Sequence, residues 1–254
     1  MIRTLAIAIL PVLFLTVYIF RKDRLEKEPA NLLFKLMLLG ALLSFVPALL
    51  EGLGDRFLGR FFRTKNGVYY ILEAFFVVGL SEEGFKRFIL KKKTWNNRNF
   101  NCSFDAIVYA SYVSLGFALL ENILYVFGYS LSRSFAVGLL RAITAIPAHF
   151  FNAVFMGLYY GRAKECQIRC DTEGMRKNLR LSLWVPVALH GTYDALAFLS
   201  SYMKSSVCGY LFYGFLLLMY IISFKTVRRE SSADRYLVGE FDYSQDSDGT
   251  GFPQ

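Results

Sequence analysis

The sequence predicts an all-α, polytopic membrane protein, built as a bundle of about seven transmembrane helices. Of its 254 residues, 55% are hydrophobic and 19% are charged, whereas a soluble domain averages about 45–50% and 25%. The mean hydropathy is +0.37, and the apolar residues form runs of the roughly 20 residues that a helix needs to cross a bilayer. This apolar content excludes disorder for most of the chain, and only 4 cysteines exclude a disulfide scaffold.

Seven apolar runs are predicted to cross the membrane. The first run has no small-residue cleavage site after it and is followed by Arg21, Lys22 and Arg24, so we expect a retained anchor and not a cleaved signal peptide. Polar segments separate the runs from one another. In chain order, the predicted spans are residues 2–20, 32–50, 68–90, 104–129, 135–160, 179–201 and 207–224.

Basic residues between the spans set the predicted orientation. They are concentrated in the first, third and fifth loops and directly after the last span, which places these segments in the cytoplasm and the N-terminus outside. Loop 52–66 carries bases on the outer side and is interpreted as an interfacial amphipathic segment. Residues 1–229 are thus predicted to form one transmembrane domain, and the acidic residues 230–254 a disordered cytoplasmic tail. Because the bases lie between apolar runs, we expect the lipid bilayer as a partner and no nucleic acid.

Four of the predicted spans contain polar groups that are costly in lipid. On insertion scales, an Asp, Glu or Lys at the centre of a span costs about 2.5–3.5 kcal/mol. Several such groups at one depth therefore indicate a shared polar site, and the chain's two histidines both lie near mid-span. The motifs are E-E-x-x-K at Glu82, Glu83 and Lys86; F-x-x-x-E-N at Phe117, Glu121 and Asn122; His149 with Asn152 and, eight residues on, Gly157; and H-x-x-x-D at His190 and Asp194.

This combination of carboxylates and imidazoles has the chemistry of water activation. A carboxylate in a low-dielectric site can act as a general base toward water, and an imidazole can orient water or stabilise an oxyanion. Hydrolysis by activated water is the leading interpretation, because the chain has no G-x-S-x-G motif. The predicted catalytic residues are Glu82, Glu83, Glu121, His149, His190 and Asp194, supported by Lys86, Phe117, Asn122, Asn152 and Gly157.

A metal cofactor is compatible with these residue types but is not demanded by them. Glu and His side chains are zinc ligands, and zinc lowers the pKa of a bound water to about 7. The chain lacks the H-E-x-x-H motif of soluble zinc proteases. The candidate ligands for a divalent metal such as zinc are His149, His190 and Glu121.

The four motifs, in this order and each in a separate span, resemble the PrsW family of intramembrane proteases over residues 82–194. That family is similar in turn to the CAAX prenyl endopeptidase and bacteriocin-immunity superfamily, whose second motif usually has His where this chain has Glu121. The resemblance implies a bacterial plasma-membrane protease that makes the first, regulated cut in a single-pass anti-sigma factor during a stress response.

The resemblance also implies roles for the motif residues. The glutamate pair of the first motif would activate water, and the two histidines would bind that water or stabilise the oxyanion. Glu121 and Asp194 would complete or orient the site. Members of the family are often classed as metallopeptidases, whereas the related prenyl endopeptidases have also been argued to be glutamate-dependent, and the sequence leaves both mechanisms open.

Two other functions remain open at this stage. Chains of intramembrane Glu, Asp and His also form proton relays, so a proton-coupled transporter or channel is an alternative, although the sequence has no inverted repeat. A non-catalytic membrane scaffold or immunity protein is the second alternative. It predicts that alanine at the motif positions preserves function as long as the protein folds.

Overall fold

The computed structural model describes residues 2–128 and 131–237. All regular secondary structure in these two ranges is helical, and no β-strand forms within them. The prediction of an all-α polytopic membrane protein is confirmed. In chain order the elements are α1 (Ile2–Lys22), α2 (Ala30–Leu42), α3 (Phe45–Leu58), α4 (Gly67–Leu72), a π-helical segment (Glu73–Gly79), α5 (Leu80–Thr94), α6 (Asp105–Phe127), α7 (Leu131–Ile143), α8 (Ala145–Ile168), α9 (Thr172–Met203) and α10 (Ser206–Ser232).

All seven predicted spans are helical. The spans at residues 68–90 and 179–201 correspond to the run from α4 to α5 and to α9, and these are the helices that carry the most ionisable motif residues. The other five are long and apolar enough to cross a membrane by length and composition. These five stretches are Leu5–Lys22, Ala30–Leu58, Asp105–Phe127, Arg133–Ile168 and Ser206–Ser232.

Two of the predicted spans are broken helices and not continuous ones. The run 32–50 forms α2 and the start of α3, and the run 135–160 forms α7 and most of α8. The second helix of each pair has a proline in its first turn, Pro47 in α3 and Pro147 in α8. Proline is tolerated there because the first-turn N–H groups have no helical partner. Hydropathy does not register these breaks, since the residues on both sides remain apolar.

Helices α6 and α8 form the centre of the bundle, and most residues of both are buried. Gly157 of α8 lies directly against the backbone of α6, because a Cβ at this position would be 2.5 Å from the Cα of Ile107. Small residues at helix interfaces allow such close approach. The contact fixes the distance between α6 and α8, and these two helices carry Glu121 and His149.

The outward-facing side chains of the bundle are apolar. Phe14 of α1, Leu49 of α3 and Leu217 of α10 are 68%, 65% and 62% exposed. Contiguous apolar surface of this kind is unusual on soluble monomers. It is the expected surface of helices that face lipid.

The predicted tail at residues 230–254 begins inside a helix, since α10 ends at Ser232. The residues that follow α10 contact the loop between α5 and α6, where the Ser103 amide donates to the Arg235 carbonyl oxygen at 2.9 Å. The remainder of the predicted tail, residues 238–254, lies outside the described residues.

Candidate active site

A cavity of about 340 Å³ lies among α3 and α5 to α9 and collects the four motifs. Its walls are contributed by helices that are distant in sequence, so the fold brings residues of all four motifs together around it. The predicted site residues that line it are Glu82, Phe117, Glu121, His149, Asn152, His190 and Asp194.

The remaining predicted residues lie around the cavity and do not line it. Glu83 and Lys86 are buried directly behind it, with 0% and 1% of their surfaces exposed. Asn122 contacts helix α7, and Gly157 forms the α6–α8 contact described above. Their contacts are therefore with other side chains and helices of the site.

The π-helical segment sets the position of α5 against α9. Gly79 at its end lies against α9, because a Cβ at this position would be 3.3 Å from the backbone nitrogen of Gly191. This close approach brings His190 Nδ1 to 2.8 Å from Glu83 Oε1. Single π-helical turns are rare and occur frequently at functional sites.

Lys86 is the centre of the charged cluster. Its Nζ atom lies 2.9 Å from Glu82 Oε2, 2.8 Å from Glu83 Oε1 and 2.9 Å from His149 Nδ1. It also lies 4.3 Å from the ring centroid of Phe117, in a cation–π contact. A buried ammonium requires such partners, because an unpaired charge in a low-dielectric interior is strongly destabilising.

His149 is held from its other side by a carboxylate. Its Nε2 atom lies 2.7 Å from Glu121 Oε2, and Glu121 Oε1 lies 3.0 Å from Arg141 Nη2. Arg141 also donates from Nε to Asn122 Oδ1 at 2.9 Å. Since Nε2–H of His149 donates a hydrogen bond to the Glu121 carboxylate, Nδ1 is left as the acceptor that faces Lys86.

His190 repeats this arrangement on α9. Its Nδ1 atom faces Glu83, and its Nε2 atom lies 3.2 Å from Asp194 Oδ2. The centroids of the two imidazole rings are 5.5 Å apart, and the ring planes are at 83° to each other. Each histidine thus directs Nδ1 into the cluster and Nε2 toward a carboxylate.

The cluster has the donor types of a metal site. Metal-bound histidines commonly have their second nitrogen hydrogen-bonded to a carboxylate, and both histidines here have Nε2 beside one, at 2.7 Å for His149 and 3.2 Å for His190. Glu83 Oε2 is buried and has no hydrogen-bond partner among the described residues. Two imidazoles and two carboxylates form a donor set that suits zinc. The four residues whose donor atoms lie within 4.8 Å of one another are Glu82, Glu83, His149 and His190.

This group differs from the ligand set expected from the sequence. Both histidines belong to it, but Glu121 is the carboxylate behind His149 and contacts Arg141. The glutamate pair of α5 takes the place expected for Glu121. Local spacing cannot distinguish these roles, because they depend on how α5 and α6 are rotated relative to α8.

Two residues of the site were missed in the sequence. Arg141 lies inside the predicted span 135–160, and a base inside a span requires an acidic partner, which was an available signal. Glu51 lines the cavity from α3 but falls one residue beyond the predicted span 32–50. It was therefore grouped with the following loop, although α3 continues through it.

Comparisons with known proteins point to one family. Residues 28–224 match the family model described as PrsW family intramembrane metalloprotease. "Protease PrsW" of Clostridioides difficile (strain 630) is 36% identical over 188 residues, which cover 74% of this chain and 76% of that protein. "Protease PrsW" of Bacillus subtilis (strain 168) is 32% identical over 194 residues, covering 76% and 82% of the two chains. No solved structure matches the chain.

Proposed function

Because the chain belongs to the PrsW family of intramembrane metalloproteases and is therefore a peptidase, we propose that it hydrolyses a peptide bond of a single-pass membrane protein with a water activated by its buried Glu and His residues. The observation that carries this proposal is the convergence of two carboxylates and two imidazoles from three helices on one buried point. Polar groups that only hold helices together would not need all four donor atoms to lie within 4.8 Å of one another.

The glutamates of α5 have different surroundings, which suggests different roles. Glu82 lines the cavity, so we assign it the general base that takes a proton from the attacking water. Glu83 is fully buried between Lys86 and His190, so it anchors the cluster. His149 and His190 orient the water through Nδ1, directly or as ligands of a bound cation.

A divalent cation is part of the proposal. Glu83, His149 and His190 of this group would hold it, which leaves Glu82 free to act as the base, and zinc is the cation that these donor types suit best. When bound, such a cation supplies Lewis acidity and lowers the pKa of water to about 7. Glu121 and Asp194 then keep the ligand nitrogens of the two imidazoles directed at the cluster.

The substrate proposed is an anti-sigma factor with one transmembrane segment, cut first in a proteolytic cascade in the bacterial cell membrane. The resemblance of the four motifs to the PrsW family supports this choice.

The proposed orientation keeps the N-terminus outside and the C-terminus in the cytoplasm, on the basis of the loop charges. Cysteine accessibility in intact cells tests it. A cysteine introduced near residue 230 should react with an impermeant maleimide only after the cells are opened.

Cleavage by purified protein tests the function. The protein is reconstituted in liposomes with a panel of single-span peptides made from the anti-sigma factors of the source genome, and the products are identified by mass spectrometry. We expect at least one peptide to be cut by the wild type and not by His149→Ala or His190→Ala. Equal cleavage by wild type and both variants would rule out the proposed site.

A further inference from the structure

Glu51 is an acidic residue of the cavity that lies outside the four motifs. One face of α3 lines the cavity through Phe45, Ala48 and Glu51, which are spaced three residues apart. The opposite face is turned outward, as Leu50 and Leu53 are 40% and 52% exposed. A helix with an apolar outer face therefore contributes one ionisable side chain to the cavity lining.

Glu51 shares this polar space with the groups proposed to react. Glu82, Glu121, His190 and Asp194 line the same cavity as Glu51. Ser81, the residue before Glu82, has its Oγ atom 3.5 Å from Glu51 Oε1, at the outer limit of a hydrogen bond. The side chain thus lines the same cavity as the proposed general base.

The other acids that line the cavity each have a positively charged or imidazole partner. Glu51 forms no ion pair within residues 2–128 and 131–237. A carboxyl group without a cationic partner is the one that can carry a proton and donate it. The three partnered pairs are Glu82 with Lys86, Glu121 with Arg141, and Asp194 with His190.

We propose that Glu51 is a second catalytic acid, which protonates the nitrogen of the leaving amine. The proposal rests on the proposed proteolytic function. In the first step the water oxygen bonds to the carbonyl carbon, and one water proton passes to the Glu82 carboxylate. In the second step the C–N bond breaks, and its nitrogen takes the proton of Glu51. The proton on Glu82 then returns through cavity water to Glu51, so that the net reaction consumes one peptide bond and one water.

This assignment divides two proton transfers between two helices. An amine leaves poorly as an anion, so protonation of its nitrogen contributes to the rate of C–N cleavage. General acids of this kind contribute about 10²–10⁴-fold. The alternative is that Glu82 itself returns the proton to the amine, and Glu51 then has no chemical role.

An ester analogue of the substrate separates these possibilities. The peptide that the wild type cuts is synthesised again with an ester in place of the scissile amide, because an alkoxide leaves without the full protonation that an amine needs. For Glu51→Gln we expect the kcat for the amide to fall about 100-fold and the kcat for the ester to fall less than about 5-fold, with little change in KM. Glu51→Asp should recover part of the amide activity.

Asp55→Asn is the matched control, because Asp55 lies one turn further along α3, pairs with Lys65 and does not line the cavity. It should leave both substrates unaffected. Equal loss of amide and ester hydrolysis in Glu51→Gln would mean that Glu51 acts structurally, and unchanged amide hydrolysis would mean that Glu82 returns the proton. Either result overturns the inference and leaves the proposed function in place. If the wild type cuts no peptide, the proposed function fails and the inference fails with it.

Discussion

Lys86 of α5 donates from Nζ to His149 Nδ1 of α8 at 2.9 Å, across the interface between the two helices. The same ammonium forms salt bridges with Glu82 and Glu83. Lys86 therefore contacts three of the four groups that could hold a metal ion. A divalent cation and the Lys86 ammonium would repel each other, and they share the same donor groups.

Replacing Lys86 by Met tests this competition. Met has a similar length and no charge, so repulsion of the cation is removed while much of the packing is kept. We expect Lys86→Met to bind zinc at least about tenfold more tightly, which corresponds to about 1.4 kcal/mol. Isothermal titration calorimetry of the chelator-treated protein in detergent measures the zinc affinity of the variant and of the wild type. Unchanged or weaker zinc binding by a folded variant would show that Lys86 and the metal do not compete.

Glutamine at either position of the α5 glutamate pair is expected to abolish most activity. Glu82→Gln removes the proposed base and Glu83→Gln removes the anchor of His190, so each should lower kcat by about 100-fold or more. Cleavage of the peptide panel in liposomes is the measurement. Glu173→Gln, at an exposed position of α9, is the control and should be fully active. A variant of the pair that retains near wild-type turnover would contradict its assigned role.

Arg141 is expected to act as a positioning residue for His149 through Glu121. Loss of a group that orients a metal-ligating or catalytic side chain typically costs about 10–100-fold. Arg141→Ala should fall in this range, and Arg141→Lys should recover part of the activity because it restores the charge. Arg133→Ala on the same helix is the control. In a double-mutant cycle with Glu121→Gln, strictly additive losses of activity would show that Arg141 does not act through Glu121.

Gly157→Ala is expected to separate α6 from α8. The added Cβ would lie 2.5 Å from the Ile107 Cα, so the helices must move apart, and overpacking of this kind costs about 1–3 kcal/mol. Both the melting temperature in detergent and the activity should fall, since His149 and Glu121 lie on the two displaced helices. Gly214→Ala in α10 is the matched control, because nothing lies within 4 Å of a Cβ there. Equal melting temperatures for the two variants would contradict the close packing.

The loop between α1 and α2 should make stability depend on pH. Burial raises the pKa of Asp23 from 3.8 to about 6, and burial also raises the pKa of Glu28. Asp23 accepts from the Glu28 amide at 3.3 Å, and Glu28 accepts from the Tyr109 hydroxyl at 2.6 Å. The charged groups that also act on these two carboxyls are Glu26, Lys27, Asp105 and Asp234.

Because both pKa values are raised on folding, the folded state binds more protons than the unfolded state between about pH 4 and pH 7. Stability should therefore be greatest at low pH and decrease as the pH rises through about 6. For a change near 1 kcal/mol, a thermal melt in detergent would shift by about 2–4 °C. Asp23→Asn should raise the melting temperature at pH 8 and flatten the dependence. An unchanged pH profile in this variant, with Glu173→Gln as the control, would contradict the assignment.

The sequence was sufficient to predict the helical membrane fold and most of the site. Long apolar runs indicate helices that face lipid. A charged residue within such a run costs enough free energy to indicate a functional site. The breaks before α3 and α8 could not be recognised in this way, since hydropathy is the same on both sides. The π-helical segment also has no local signature, because the packing of Gly79 against Gly191 stabilises it.

The division of roles within the site depends on tertiary structure. Glu121 and Glu83 both lie in predicted spans near a histidine partner, yet one lies behind His149 and the other belongs to the cluster. Arg141 and Glu51 enter the site only because α7 and α3 are separate helices. Contacts between helices that are far apart in sequence decide these positions, and no pattern within a single span encodes them.

The most direct test of the proposed function is cleavage of a single-span peptide by the purified protein in liposomes, before and after a chelator and after return of zinc. We expect the wild type to cut one peptide bond, the chelator to stop cleavage and zinc to restore it, and Glu82→Gln to be inactive throughout. Cleavage that persists in Glu82→Gln, or the absence of cleavage of every peptide by the zinc-loaded wild type, would contradict it.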